Sequence, residues 1–301
     1  MKTKQTKPIV FPSQLKQSLV LRGKVEDDNM RKFIRDCVGI NQKLVEATRH
    51  SILSGPPGVG KSYGTWDECA INKVKYIQIP PGSTDVVIAA KLAHGVYNLK
   101  PNEELVVILD DADELVFGDY KTLNKWKIAM GSVDYDLDII PYYSHSKDMT
   151  NNIKKWEETG KDEIAIAVKS FQDPSDIGLQ IPTDRVRFIV LCNKDLEDPK
   201  QLGRGALAGA IEAVLDRFNY KRINLTWEHQ WGWLAHTLSN SQPFDDYPLS
   251  NKQKIDLLDW MYSNWDKLRS TSYRTVEKLA AEMINNPNDY EDGWRSNIKG
   301  Q

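Results

Sequence analysis

Eight consecutive residues, Gly55-Pro56-Pro57-Gly58-Val59-Gly60-Lys61-Ser62, match the spacing G-x-x-x-x-G-K-[ST] at every defined position. Glycines in such a loop let main-chain N–H groups converge on an anion with no Cβ in the way. A helix starting at Lys61 would aim its positive end at the same charge. The pattern predicts a cradle for a triphosphate, in which the Lys61 ammonium reaches the β- and γ-phosphates and the Ser62 hydroxyl ligates Mg2+. The expected binding set is Gly55, Pro56, Pro57, Gly58, Val59, Gly60, Lys61 and Ser62, with Tyr63 next on the helix, and the implied ligands are ATP and Mg2+. A turn that merely caps a helix is the alternative; the strand-like Ser51–Ser54 before it and the helical pattern after it favour the phosphate loop.

A second group of chemical residues closes an apolar run, Glu104-Leu105-Val106-Val107-Ile108-Leu109-Asp110-Asp111. Parallel strands present their C-terminal ends to the ligand side, so Asp110 would hold Mg2+ through water and Asp111 would polarise an attacking water. Asp113 and Glu114 lie close enough to be read as the base instead, or as favourable charges at the start of the next helix. A third run, Arg187-Phe188-Ile189-Val190-Leu191-Cys192-Asn193, also leaves an apolar strand on a polar residue. On residue type alone, Asn193 there could simply turn the chain.

In this order the motifs resemble those of the AAA+ ATPases, over roughly Asp27 to Ile284. Most of that family has Asp-Glu where this chain has Asp110-Asp111, as its bacterial replication-initiator branch often does. The resemblance implies that Asn193 is the sensor 1 residue and that Arg217, closing a helical stretch from Asp198, is an arginine finger reaching a neighbouring subunit's nucleotide. Arg204 is the fallback, and an arginine at a helix C-terminus is otherwise a dipole partner. It further implies that Arg274, in Ser272-Tyr273-Arg274-Thr275-Val276-Glu277, is the sensor 2 contact to the γ-phosphate; Arg269 competes for that role. A homo-oligomer follows, a hexameric ring or spiral, with Mg·ATP bound between an α/β domain and a helical lid.

The elements that must position these residues can be read from patterning. Ser51–Ser54, Lys75–Ile79, Leu105–Leu109, Arg187–Cys192 and Lys221 to Leu225 read as buried strands alternating with helices, which predicts an α/β fold with a five-stranded parallel sheet covered by helices. From residue 226 the pattern is helical only, at Trp227 to Leu238, Lys252 to Leu268 and Tyr273 to Ile284, with Trp227, Trp231, Trp233, Trp260 and Trp265 as anchors of a small lid bundle. Asn285 to Gln301 reads as a frayed tail. Residues 1–26 read as a basic arm in which Pro8 and Pro12 discourage helix, and an amphipathic helix opens at Asp27-Asp28. The stretch Gly131 to Gln180, with Tyr135, Tyr142, Tyr143, Trp156 and a strand-like Glu163 to Val168, reads as an insertion or hairpin.

Composition removes several function classes. With 40 Lys+Arg against 42 Asp+Glu in 301 residues the formal charge is -2, which gives no global attraction to nucleic acid, so binding there requires a local patch. Three scattered cysteines suit reduced thiols, the five histidines have no metal or triad spacing, and no run is long enough to span a membrane; a cytoplasmic protein is expected, including host cytoplasm if the gene is viral. The loop Pro80-Pro81-Gly82-Ser83 lacks the aromatic pore signature of protein-threading AAA+ machines. The sequence therefore predicts an ATPase that remodels or loads an unidentified protein or protein–nucleic-acid complex, in a compact form that would suit a bacteriophage. A nucleotide-gated DNA- or protein-binding switch with slow hydrolysis is the alternative, and a P-loop kinase a third.

Overall fold

The computed structural model describes residues 10–38, 50–131, 146–172, 179, 181–182, 185–198, 205–216, 218–240 and 249–299. The chain forms two compact units. One comprises Phe33–Gly55 and Lys61–Ile223; the other comprises Met1–Lys32, Pro56–Gly60 and Asn224–Gln301.

The first unit is α/β. Ser51–Ser54 (β1), Lys75–Ile79 (β2), Leu105–Leu109 (β3), Val186–Cys192 (β4) and Asn219–Arg222 (β5) pair in parallel in the order β2-β3-β4-β1-β5. All five residues of β3 are buried, which is why it reads as an unbroken apolar run: helices cover it on both faces. Each such aliphatic side chain contributes roughly 1.5–3 kcal/mol by leaving water. From β1 the chain crosses to the far edge at β2, returns through β3 and β4, and passes β1 to reach β5. Right-handed crossovers then put Lys61–Ile71 (α2) on one face and the remaining crossover helices on the other. Those others are Asp85–Tyr97 (α3), Tyr120–Gly131 (α4), Ser146–Glu158 (α5), Asp162–Ser170 (α6) and Ala206–Leu215 (α7), with α3 packed on α6, α5 on α6 and α4 on α7. Ile52, Val107, Leu109, Phe188 and Val190 meet them in one core. Because β1 and its neighbour β4 send their connections to opposite faces, a crevice opens at the carboxyl ends of these two strands.

Two expectations about this unit change. Glu163 to Val168 is helical, within α6, not a strand. Asp162 and Glu163 sit favourably in its first turn, and Ala165 and Val168, three apart, are both buried while Ile166 is half exposed, a helical and not a two-residue period. The described residues of 131–180 include α5 and α6, packed on the core with Trp156 half-buried, and an isolated antiparallel bridge between Gln172 and Leu179; Tyr135, Tyr142 and Tyr143 lie outside the described residues. Strand β5 begins two residues before the expected Lys221, because its pairing with four-residue β1 runs from Ser51↔Asn219 to Ser54↔Arg222.

The second unit is helical. It holds Trp227–Asn240 (α8), Asn251–Ser263 (α9), a 3-10 turn at Trp265–Lys267, Tyr273–Asn285 (α10) and Tyr290–Arg295 (α11). Of the expected arm at 1–26, residues 14–26 are helix and residues 1–9 lie outside the described residues: Gln14–Cys37 (α1) starts two residues after Pro12, and its residues up to Lys32 pack in this unit. Gly23 and Gly232 meet so closely that a Cβ on Gly23 would lie 2.3 Å from the Gly232 carbonyl carbon. Lys16 pairs with Asp259 at 2.7 Å, and Asp27 accepts from the Trp233 indole N–H at 3.1 Å. Buried Leu19, Val20 and Met30 mark the apolar stripe that the many lysines obscured. The frayed tail is corrected as well: Trp294 of α11 is buried, and its indole N–H donates to the Leu279 carbonyl at 2.8 Å. Of the five expected tryptophan anchors, Trp231 and Trp233 are buried and Trp227 is 42% exposed. No helix among the described residues is long and apolar enough to cross a membrane.

Candidate functional site

At the carboxyl ends of β1, β3 and β4 the sheet unit gathers the chemistry-bearing residues. Lys61, the first residue of α2, is only 6% exposed, and its ammonium donates to the Gly55 carbonyl at 2.8 Å and to Asn193 Oδ1 at 2.9 Å. Burial pushes its pKa below the ordinary lysine value, while the negative charge of Cys192 in its thiolate form and of Asp111, Asp113 and Asp110 works the other way. A cation held this dry at a helix N-terminus is electrostatically prepared for an anion.

Ser62 donates from Oγ to Asp110 Oδ1 at 2.5 Å, so the first turn of α2 and the end of β3 meet through two oxygens. Asp110 also accepts from Gln78 Nε2 at 2.7 Å through Oδ2, and from the Asp111 amide at 3.1 Å through Oδ1. A hydroxyl and a carboxylate oxygen in contact fit the hard-donor preference of Mg2+, which takes one or two protein oxygens and fills its octahedron with water and phosphate. Among the described residues, no group of three or more His, Cys, Asp or Glu side chains is placed to hold a metal ion.

Asp111 follows with φ 44°, the left-handed region, and is exposed. That conformation costs a non-glycine residue of order 1–2 kcal/mol, least for Asp and Asn, and such outliers concentrate at functional sites. Its Oδ1 accepts from Asn193 Nδ2 at 3.1 Å. The Asn193 side chain therefore bridges Lys61 and Asp111. Asp113 points elsewhere: its carboxylate accepts the main-chain amides of Asn193 (2.9 Å to Oδ2) and Lys194 (2.7 Å to Oδ1). Glu114 is exposed and pairs with Lys194 at 3.1 Å.

The tip of the glycine loop belongs to the helical unit. Gly58 and Gly60 both have φ 78°, which glycine alone adopts freely, and a Cβ on Gly58 would stand 2.3 Å from Ser272 Cβ. A Cβ on Gly60 would touch the Trp233 ring at 3.0 Å, and Val59 is buried. Arg274 is exposed, two residues beyond Ser272 in the first turn of α10. Arg269 donates from Nε to the Ile298 carbonyl at 3.1 Å. In the sheet unit, Tyr63 packs edge-on against Trp66, with centroids 5.0 Å apart.

Of the sequence-predicted residues, the fold brings together Gly55, Lys61, Ser62, Asp110, Asp111 and Asn193. Arg217 and Arg204 lie outside the described residues; the helix before Arg217, α7, ends at Leu215. Sequence reasoning missed Gln78, whose signal was a lone amide between Ile77 and Ile79 at the carboxyl end of β2. It also missed Ser54, fully buried, whose hydroxyl donates to the Lys194 carbonyl at 2.6 Å.

Among known proteins, an uncharacterised 36.7 kDa protein from the nrdC–mobD intergenic region of Enterobacteria phage T4 is similar to this chain, at 24% identity over 260 residues covering 83% of this chain and 69% of that protein. No protein-family model matches the sequence.

Proposed function

We propose that this chain binds Mg·ATP at the carboxyl edge of the sheet and hydrolyses it, in the manner of the AAA+ ATPases that its motifs resemble. The observation that carries the reading is the convergence of Lys61, Ser62, Asp110 and Asn193 around the exits of β1, β3 and β4, with Lys61 Nζ 2.9 Å from Asn193 Oδ1 and Ser62 Oγ 2.5 Å from Asp110 Oδ1. Sequence-distant residues of the required types meet at the point where strand connections diverge. Lys61 would exchange its bond to Asn193 for the β- and γ-phosphates. When bound, Mg2+ neutralises charge on those phosphates. Ser62 and Asp110 would hold that ion, Asp111 would accept the proton of the attacking water, and Asn193, released from Lys61, would orient that water.

The resemblance further supports a ring or spiral of identical subunits with Arg217 completing a neighbour's site, Arg274 acting on the γ-phosphate, and an unidentified client that is remodelled or loaded. Similarity to a phage T4 protein suits a phage setting. A second reading, a nucleotide-gated switch with slow turnover, is favoured by one observation: the short Asp111 carboxylate is already engaged by Asn193. Steady-state ATPase assays with and without single- and double-stranded DNA, run beside Lys61→Ala and Arg217→Ala, test the proposal. Specific activity that rises with protein concentration and is lost in both variants supports the ring ATPase. Nucleotide binding with no turnover above background supports the switch, and phosphate appearing on a small acceptor would point to a kinase.

A further inference from the structure

The exit of β4 is held from two sides. On the β3 side, Ala112 N–H donates to the Leu191 carbonyl at 2.8 Å, and the Asp113 carboxylate receives the Asn193 and Lys194 amides at 2.9 and 2.7 Å. On the β1 side, immediately before the glycine loop, Ser54 Oγ donates to the Lys194 carbonyl at 2.6 Å. Two amides and one carbonyl in a two-residue turn are therefore all bound to side chains from the flanking strands. What this turn presents is the Asn193 side chain, spanning Lys61 and Asp111. A primary amide can do this only if its plane and its Cα are fixed, because oxygen must face the ammonium and nitrogen the carboxylate.

We propose that Asp113 is a positioning residue for the reaction at this site: it fixes the Asn193–Lys194 main chain so that the Asn193 amide addresses Lys61 and Asp111, and it takes no proton itself. The inference rests on the nucleotide reading above. Both Asp113 oxygens already face N–H donors that never give up their protons, which leaves it poorly placed to act as a base. Only a carboxylate suits the position, since an amide in its place would turn an NH2 toward at least one main-chain N–H.

The test is Asp113→Asn, a near-isosteric change, in the full chain, alone and combined with Asn193→Ala. Expected are a fall in kcat of roughly 10-fold, an affinity for Mg·ATP unchanged or tighter because a negative charge near the phosphates is gone, and no further loss of kcat when Asp113→Asn is added to Asn193→Ala. The acidic limb of the pH–rate profile persists, since its carboxylate is elsewhere. Amide hydrogen exchange at Asn193 and Lys194 quickens in the single variant, a readout that needs no turnover. Ser54→Ala, which loosens the other side of the same turn, lowers kcat in the same pattern.

Losses that multiply in the double variant would overturn the proposal, and disappearance of the acidic limb would make Asp113 the base instead. Unchanged exchange at the two amides would overturn the clamp even in a chain with no turnover. Absence of turnover in the wild-type chain, with exchange responding as expected, would leave the clamp as a structural feature and overturn both the hydrolysis reading and the positioning role.

Discussion

Replacing Lys61 by alanine separates what the side chain does for stability from what it does for an anion. Its burial depresses its pKa from 10.5, so between the folded and unfolded values the unfolded chain binds more protons. The cost of keeping Lys61 charged is therefore present in full below the folded pKa and fades as pH climbs through it toward 10.5. Opposing that cost are two charge-assisted hydrogen bonds, each worth roughly 1.5–3 kcal/mol. The terms largely offset, and ligand-free Lys61→Ala is expected within about 2 kcal/mol of wild type at neutral pH, with wild type gaining on the variant in alkaline buffer. Nucleotide separates the two sharply. Mg·ATP at 100 times its Kd stabilises a folded protein by about 2.7 kcal/mol. For a protein of this size that is roughly 4 °C in Tm. Loss of about 3 kcal/mol of phosphate contact weakens binding roughly 150-fold. The same concentration of nucleotide then supplies about 0.3 kcal/mol, a shift of roughly 1 °C or less. Thermal unfolding with and without Mg·ATP, in neutral and alkaline buffer, reads both effects. An equal nucleotide-induced shift in variant and wild type would refute the phosphate role; a stability difference that ignores alkaline pH would refute the burial argument.

Three further outcomes are expected. Gly58→Ala meets a left-handed φ, at about 1–2 kcal/mol, and Ser272 Cβ at 2.3 Å, at about 1–3 kcal/mol more. Urea denaturation should show a loss of roughly 2–5 kcal/mol, and a loss below about 0.5 kcal/mol would mean the loop has another shape. Gln78→Ala leaves Asp110 Oδ2 without its amide donor, so half-maximal turnover should need roughly 10-fold more Mg2+, with the KM for ATP at saturating metal unchanged; an unaltered metal requirement would remove Gln78 from the site. Cys37, Cys69 and Cys192 are buried and their thiols pushed up to about 12, so a maleimide reagent should label none of them in the native chain and all of them in denaturant. Native labelling within minutes would contradict the packing of α1, α2 or β4.

The central strands β3 and β4 were legible because they are buried almost throughout and so read as apolar runs between turns; β3 begins and ends where the pattern does, as does β2 although its Lys75 and Tyr76 are exposed. Strand β5 was displaced because Asn219 to Arg222 is polar and its place is set by pairing with β1, a partner more than 160 residues away in sequence. The N-terminal helix was hidden by lysines that lie beside its apolar stripe, and the tail by the fact that one tryptophan, Trp294, anchors it. At the site, residue types and order announced Lys61, Ser62, Asp110 and Asn193. Their hydrogen bonding was not readable: which acid lies beside Asn193's side chain and which beneath its main chain depends on the φ 44° turn at Asp111, which no residue type demands. Asp111 and Asp113, interchangeable in sequence as candidate bases, are separated by that turn, one facing the Asn193 amide group and the other its backbone.

The most direct test of the nucleotide site is calorimetric titration of Mg·ATP into the folded chain. Saturable heat at one nucleotide per chain is expected, weakened when the metal is chelated and lost in Lys61→Ala. A folded wild-type chain that takes up no adenine nucleotide in the presence of Mg2+ would contradict the site.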